Sequence, residues 1–225
     1  MISHNYKCIF VHIPKTAGRS IEDVFMKLHG YAREQRGQLL LGYNDDPAKG
    51  PERISHLRAE EYLRYKHVTS EEFNAYFKFS FVRNPWARLV SEYKYRKHFQ
   101  KFSFADFVYK HLPEPSMKDR YRHILPQYDF LFDAGGNRLV DYVGRFETLQ
   151  QDFNSICSRL GIAETPLDHV GPSKRTSPLR AQLHYLAGRH KQRLHKSYRD
   201  FYDERLMQFV GAMYVKDIEH FNYSF

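Results

Sequence analysis

The stretch Ile9–Ile21, with the sequence IFVHIPKTAGRSI, constrains the fold more than any other part of this chain. An apolar run typical of a buried strand leads directly into a Pro-Lys-Thr-Ala-Gly turn, and a helix is predicted to begin near Arg19 and Ser20. In this order of elements, the first N–H groups of the helix have no partner inside it and point toward the turn. The arrangement therefore predicts an anion-binding loop, in which Lys15 adds a mobile positive charge.

The order of residues separates this turn from the loop of ATP- and GTP-binding proteins. A Walker A loop reads G-x-x-x-x-G-K-[ST], with the lysine directly after the second glycine. Here Lys15 comes three residues before Gly18, so the match to that loop is poor. Taken alone, the turn is also compatible with a strand–turn–helix whose lysine is only solvated.

A second segment, Phe77–Tyr95, combines a short apolar strand with a helix that follows it directly. Asn84 is predicted to cap this helix and Pro85 to be its first residue, since these residue types favour those two positions. Arg83 then stands at the strand tip, and Ser91 lies inside the helix. A guanidinium and a hydroxyl so placed suit a phosphate dianion. The alternative is an arginine paired with a carboxylate and a serine tolerated in a helix.

Together the two segments resemble the sulfotransferases that use 3′-phosphoadenosine-5′-phosphosulfate (PAPS), most closely the branch that sulfates carbohydrates. In that family the first loop holds the 5′-phosphosulfate, and an R-x-P-x-x-R-L-V-S segment holds the 3′-phosphate. The resemblance implies PAPS as donor, 3′-phosphoadenosine 5′-phosphate (PAP) as product, and no metal. It assigns donor binding to Lys15, Thr16, Ala17, Gly18, Arg19, Ser20, Arg83 and Ser91. Arg19 departs from the family, which commonly carries a small hydroxyl residue at that position.

The C-terminal half extends the resemblance. Val140–Ile162 and Tyr198–Phe225 look like later strand–helix and terminal helix segments of the carbohydrate branch. In related enzymes a late basic loop covers the 3′-phosphate, which makes Lys174 and Arg175 further candidates for donor binding. Both lie in a basic stretch that contributes to the formal net charge of +9.

Alternating strand and helix patterns predict the fold class. Strands are predicted at Tyr6–Ile13, Phe77–Val82 and Arg138–Val143, and helices at Ser20–His29, Trp86–Phe99 and Thr148–Leu160. This alternation favours a single α/β domain over residues 1–225, with a mostly parallel central sheet flanked by helices. The resemblance adds a P-loop-NTPase-like phosphate-binding loop. Ligand is expected at the carboxyl ends of the strands.

The cysteine pattern and the N-terminal sequence bear on the compartment. Cys8 and Cys157 read as small buried residues and offer neither a disulfide framework nor metal-ligand spacing. The sequence MISHNYKC does not resemble a signal peptide, and no apolar run approaches membrane-spanning length. We therefore expect a soluble cytoplasmic protein with no membrane partner, and the sequence leaves the oligomeric state open.

The resemblance implies in-line transfer of a sulfuryl group to a saccharide hydroxyl, and the surplus positive charge favours an acidic saccharide. Aromatic residues within Tyr121–Phe132 are candidates for stacking on a sugar, although most of them are expected to lie in the core. The attacking hydroxyl must lose its proton, a task that suits histidine. His56 lies in ISHLRAEEY, which resembles a histidine-containing segment of the carbohydrate branch, although a capping or surface role is the alternative. His12 is the second candidate for the base, and Glu22 is the third.

Two other functions remain open. A nucleoside or small-molecule kinase shares the strand–loop–helix but requires Mg²⁺, and Asp141 is a weak candidate for its acidic residue, with a structural role as the alternative. A nucleic-acid-binding module would use the positive charge and the 16% aromatic content. No helix-turn-helix, zinc-finger or RNP-type signature is present, so nucleic acid is not the expected partner.

Overall fold

The computed structural model of the chain describes residues 1–168 and 197–225. Its centre is a four-stranded sheet in which the strands lie in chain order. They are β1 (Ile2–Ser3), β2 (Cys8–Val11), β3 (Phe77–Val82) and β4 (Tyr142–Arg145). β1 pairs antiparallel with β2, whereas β2, β3 and β4 run parallel. This architecture confirms the predicted α/β class with a mostly parallel sheet.

Helices follow each of the parallel strands and flank the sheet. In chain order the described helices are α1 (Gly18–Leu28), α2 (Ala59–Arg64), α3 (Ser70–Ala75), α4 (Pro85–Tyr95), α5 (Phe104–Lys110), α6 (Asp119–Arg122), α7 (Tyr128–Leu131), α8 (Leu149–Leu160), α9 (Glu204–Met213) and α10 (Val215–Phe221). α1, α4 and α8 follow β2, β3 and β4, respectively. The three parallel strands therefore lead into their helices at the same edge of the sheet.

The local signals that predicted α4 and α8 are seen in the structure. The Asn84 side chain accepts a hydrogen bond from the Ala87 N–H at 3.1 Å, and Pro85 is the first residue of α4. α8 buries an apolar stripe that includes Phe153, and it ends at Gly161, whose φ of 66° suits glycine.

Several predicted boundaries are wrong: β2 spans Cys8–Val11 rather than Tyr6–Ile13, and larger differences occur in α4 and β4. α4 ends at Tyr95 rather than Phe99, since Lys97 adopts a left-handed backbone with φ of 58°. β4 begins at Tyr142 rather than Arg138, because Arg138 forms an isolated bridge instead of extending the strand. The longer elements were predicted from apolar residues that are also compatible with turns.

Both faces of the sheet are covered by apolar side chains. Phe10 and Phe79 pack with α1 and α8 on one face, whereas Ile9 and Val11 pack with α2 and α7 on the other. Cys8 and Cys157 are buried and unpaired by disulfide, as predicted. None of the helices in the described part of the chain is long and apolar enough to span a membrane.

Candidate active site at the carboxyl edge of the sheet

Three loops meet where the parallel strands end. The first loop joins β2 to α1 and contains Lys15, the second contains Arg83 and Asn84, and the third precedes α8 and contains Glu147. Arg83 Nη1 donates a hydrogen bond to the Lys15 carbonyl at 3.3 Å. The Asn84 N–H donates to Glu147 Oε1 at 2.9 Å. The structure therefore brings together the two segments that sequence analysis singled out.

The Lys15 loop turns sharply. Lys15 and Ala17 have φ values of 72° and 68°, a left-handed conformation that costs residues other than glycine on the order of 1 kcal/mol. Gly18 follows at the start of α1, where a Cβ would lie 2.1 Å from His12 Cδ2. Glycine is therefore required at this position, because the His12 ring packs directly against its backbone.

Backbone donors of this loop are available to a ligand. Within residues 1–168 and 197–225, the N–H groups of Ala17, Gly18 and Arg19 have no hydrogen-bond acceptor. The Ser20 N–H bonds to the Ala17 carbonyl at 3.0 Å. α1 carries no acidic residue in its first turn. Free N–H groups at a helix start, with no carboxylate beside them, form a site for an anion.

The hydroxyl groups of the loop make local hydrogen bonds. Thr16 Oγ1 donates to the Ile13 carbonyl at 2.8 Å, and Ser20 Oγ donates to the Asp168 carbonyl at 2.8 Å. Arg19, by contrast, is exposed. The two hydroxyl groups thus stabilise the loop, whereas the side chain of Arg19 extends into solvent.

Lys15 is a half-buried cation. Its Nζ lies 3.7 Å from the centroid of the Tyr95 ring, and it forms no ion pair in the described part of the chain. Burial lowers the pKa of Lys15 to about 8, an effect that Glu92 opposes and that Arg83 and Arg96 reinforce. The ammonium group is therefore poorly solvated, with Glu92 as a nearby anion and Arg83 and Arg96 as nearby cations. A bound anion would stabilise it.

Arg83 is a second half-buried cation at this edge. Its guanidinium carbon lies 4.0 Å from the centroid of the Phe146 ring, and no carboxylate of the described residues forms an ion pair with it. Burial lowers the pKa of Arg83 to about 10 despite the nearby Glu147. Ser91 is half-buried on α4, and its hydroxyl makes no hydrogen bond to another described residue.

Gln127 holds the backbone of Arg83, and sequence analysis missed it. The Arg83 N–H donates to Gln127 Oε1, and Gln127 Nε2 donates to the Arg83 carbonyl, both at 2.8 Å. The buried Asp217 accepts hydrogen bonds from Gln127 in turn. A lone glutamine between two apolar residue runs carries no sequence signal for this role.

His12, the second candidate for the base, is hydrogen-bonded to Glu22. Its Nδ1 lies 2.6 Å from Glu22 Oε1, and Arg36 Nη2 donates to Glu22 Oε2 at 3.0 Å. Burial alone would raise the pKa of Glu22, but the attraction and hydrogen bond of His12 lower it to about 2. Glu22 is therefore ionised and shared between His12 and Arg36. These contacts are of the kind that stabilise the conformation of the Lys15 loop.

His56, the first candidate for the base, lies beside His12. The two ring centroids are 4.7 Å apart and the rings are nearly perpendicular. His56 Nδ1 lies 2.6 Å from Asp119 Oδ1, and the side chain is almost fully buried. Burial, together with electrostatic interaction with His12 and His123, lowers the pKa of His56 well below its ordinary value, although Asp119 opposes this effect. His56 is therefore neutral near pH 7 and able to accept a proton.

Other predicted residues lie outside this constellation. Lys174 and Arg175 fall outside the described residues. In the segment Tyr121–Phe132, Phe130 and Leu131 are fully buried, which makes them core residues rather than a sugar platform. Asp141 pairs with Lys78 at 3.1 Å at the start of β3, the structural role that was its alternative.

Comparisons with known proteins agree with this geometry. The sequence model of a family described as "Sulfotransferase family" matches residues 1–224. Carbohydrate sulfotransferase 14 of Mus musculus and that of Homo sapiens are each 25% identical over 181 residues, which is 69% of this chain and 45% of the relative. An uncharacterized protein of Archaeoglobus fulgidus is 33% identical over 105 residues, 43% of this chain and 78% of that protein. This chain thus spans less than half the length of the two carbohydrate sulfotransferases. No solved structure matches it significantly.

Proposed function

This chain belongs to the sulfotransferase family, and on that premise we propose that it transfers a sulfuryl group from PAPS to a hydroxyl group of a carbohydrate. We further propose that residues 1–225 act as one catalytic domain. The observation that carries the proposal is the pair of half-buried cations, Lys15 and Arg83, which meet at the carboxyl edge of the sheet without an ion-pair partner among the described residues. Two such cations call for an anionic ligand with more than one charged group.

The donor would be held by both segments. The free N–H groups of the Lys15 loop suit the 5′-phosphosulfate, and Arg83 with Ser91 suits the 3′-phosphate. When bound, PAPS would supply the sulfuryl group: the acceptor oxygen would bond to its sulfur in line, and PAP would leave as the bond from sulfur to the phosphate oxygen breaks. Lys15 would balance the negative charge that develops on the leaving phosphate, a role that needs no metal ion. Lys174 and Arg175 remain proposed contacts of the 3′-phosphate.

His56 would remove the proton of the attacking hydroxyl. Its Nδ1 is occupied by Asp119, which leaves Nε2 to accept the proton. The carboxylate also stabilises the imidazolium that forms when the proton arrives. A neutral His56 as base and a charged Lys15 as cation are the protonation states that this transfer would require.

A carbohydrate acceptor is supported by the names of the two relatives and by charge. Both are carbohydrate sulfotransferases. The formal net charge of +9 favours a saccharide that is itself acidic, such as one with uronate or sulfate groups. Attraction of this kind weakens as ionic strength rises.

Ligand-dependent stability tests the donor. PAP at about 100 times its Kd should raise the apparent melting temperature by roughly 5–10 °C, because binding to the folded state stabilises it by about 2.7 kcal/mol. AMP, ATP with Mg²⁺ and a short oligonucleotide should each give a much smaller shift at the same concentration. A larger shift with ATP and Mg²⁺ would indicate a kinase instead. Incorporation of ³⁵S from PAPS into an acidic polysaccharide, compared with a neutral one, then tests the acceptor.

The pH dependence of donor capture tests Lys15. The free protein should lose kcat/KM for PAPS above pH about 8, because the pKa of Lys15 is lowered to about 8 and the charged form exists below that value. The corresponding alkaline limb of the pH profile of kcat should lie at higher pH, since bound phosphate favours the ammonium form of Lys15. In Lys15→Arg the guanidinium stays charged, so the limb should vanish from the range below pH about 10. A limb that stays near pH 8 in this variant would assign it to another group.

A further inference from the structure

His123 lies between two carboxylates beneath the site. Its Nδ1 is 2.6 Å from Glu92 Oε2, and its Nε2 is 3.3 Å from Asp119 Oδ2. The side chain is 4% exposed, and Nε2 is fully buried without a well-aligned hydrogen bond to a described residue. The first of these carboxylates lies 31 residues away in the chain, so the arrangement is a product of the fold.

The hydrogen-bonding capacity of the ring limits its protonation state. A neutral imidazole carries one N–H and one lone pair, whereas an ionised carboxylate can only accept hydrogen bonds. A neutral His123 that donates from Nδ1 to Glu92 would therefore turn the lone pair of Nε2 toward Asp119. Two acceptors would then face each other at 3.3 Å in a buried place, which is unfavourable. A ring protonated on both nitrogens removes this repulsion.

The charges of the cluster point the same way. Arg96 contacts both carboxylates, with Nε at 2.5 Å from Glu92 Oε1 and Nη2 at 3.2 Å from Asp119 Oδ2. Burial raises the pKa of each carboxyl group, but His123 and the neighbouring cations outweigh it and leave both values below their usual range. The two carboxylates thus share one directly bonded guanidinium, and Lys15 is a further cation that interacts with Glu92. An imidazolium at His123 would pair directly with both carboxylates.

We propose that His123 is held as an imidazolium between Glu92 and Asp119, and that it acts as a positioning residue for His56. Its charge keeps Asp119 ionised, and the ionised Asp119 fixes the proton of His56 on Nδ1. The ring centroids of His56 and His123 lie 5.1 Å apart, so the positive charge also favours the neutral, proton-accepting form of His56. The positioning role rests on the proposed function, whereas the protonation state of His123 does not depend on turnover.

The groups that face His123 come from several elements. They are Glu92, Tyr95 and Arg96 from α4 and its C-terminal end, Asp119 from α6, His56 from the turn before α2, and Arg88, whose Nη1 donates to the His123 carbonyl at 3.2 Å. The ligand atoms of His56, Asp119 and His123 also lie within 4.8 Å of one another, a spacing that would admit a metal ion. The guanidinium of Arg96 on the same carboxylate disfavours a second cation there.

Nitrogen NMR of protein labelled with ¹⁵N-histidine tests the protonation state directly. The His123 signal is identified by its loss in His123→Gln, and exposed His111→Gln is the matched control. At pH 7–8 we expect both ring nitrogens of His123 to be protonated and His56 to carry its proton on Nδ1. A His123 with one unprotonated nitrogen would overturn the inference. So would about one tightly bound metal ion per chain, measured by elemental analysis, that is lost in His123→Gln.

Kinetics separates positioning from a structural role. Removing the positive charge should raise the pKa of His56, so the acid limb of kcat/KM in His123→Gln should move upward by about one pH unit. A uniform loss at every pH, with no movement of the limb, would mean that His123 only supports the structure. If His123→Gln does not fold, Glu92→Gln provides the same test, because the loss of one flanking anion should let the His123 signal titrate near neutral pH. If no sulfuryl transfer is found at all, the NMR result still decides the protonation state.

Discussion

Replacement of His56 with alanine is expected to lower kcat for sulfuryl transfer by about 10²–10⁴-fold and to leave the affinity for PAP nearly unchanged. His56 Nδ1 is bound to Asp119 at 2.6 Å, so the ring is oriented with one nitrogen left to accept a proton. Because the pKa of His56 is lowered well below its ordinary value, the acid limb of kcat/KM in the native protein should lie below pH about 6.5. Steady-state assays across pH, with PAP affinity measured by calorimetry, check both statements.

His12→Ala is the informative comparison for this variant. The His12 ring packs against Gly18, so its loss should weaken donor binding more than turnover. Exposed His111→Ala should change neither quantity. Normal turnover by His56→Ala would transfer the role of base to His12 or Glu22. Loss of PAP binding in that variant would instead indicate that His56 is structural.

The second large effect is expected for Arg83→Ala, which should remove most of the preference for PAP over AMP. The expected cost in binding free energy is about 2–4 kcal/mol, roughly 30- to 1000-fold in Kd, because a half-buried guanidinium makes charge-assisted hydrogen bonds that alanine cannot replace. AMP, which lacks the 3′-phosphate, should bind the variant and the native protein with similar affinity. Calorimetric titration of both nucleotides without metal measures the preference.

Two further variants delimit this result. Arg83→Lys keeps the charge but loses the bidentate geometry, so it should retain only part of the preference. Arg33→Ala removes an exposed arginine and should have no effect, which excludes a general loss of positive charge as the cause. Equal affinity of the native protein for PAP and AMP would contradict the assignment of Arg83 to a 3′-phosphate.

Much of the scaffold was predictable from local signals. β3 spans Phe77–Val82 as predicted, since an apolar run ends at an Asn-Pro pair that caps a helix. The Lys15 loop is also local, because the strand, turn and helix start adjoin in the chain. The end of α4 and the start of β4 were predicted wrongly. The left-handed backbone of Lys97 and the isolated bridge of Arg138 leave no mark in hydrophobic periodicity.

The polar partners of the candidate site were not predictable. His56 was singled out by its resemblance to a histidine segment, but its partner Asp119 lies 63 residues away. Gln127, which holds the Arg83 backbone, lies 44 residues from it. Sequence analysis left the aromatic residues of Tyr121–Phe132 open between sugar stacking and the core, and Phe130 lies in the core. An aromatic side chain has the same sequence signature in a core and in a binding face.

Local residue patterns were enough to predict the order of strand, loop and helix and to place Lys15 and Arg83 just beyond the ends of two strands. Parallel pairing makes such strand ends neighbours, so these two cations could be assigned to one edge of a sheet. The groups that surround them depend on the tertiary structure. The burial of the titratable side chains depends on contacts between distant segments. The pairing of His56 with Asp119 and of His123 with Glu92 depends on such contacts as well. Hydrogen-bond partners and desolvation are set by three-dimensional proximity, which local residue patterns do not encode.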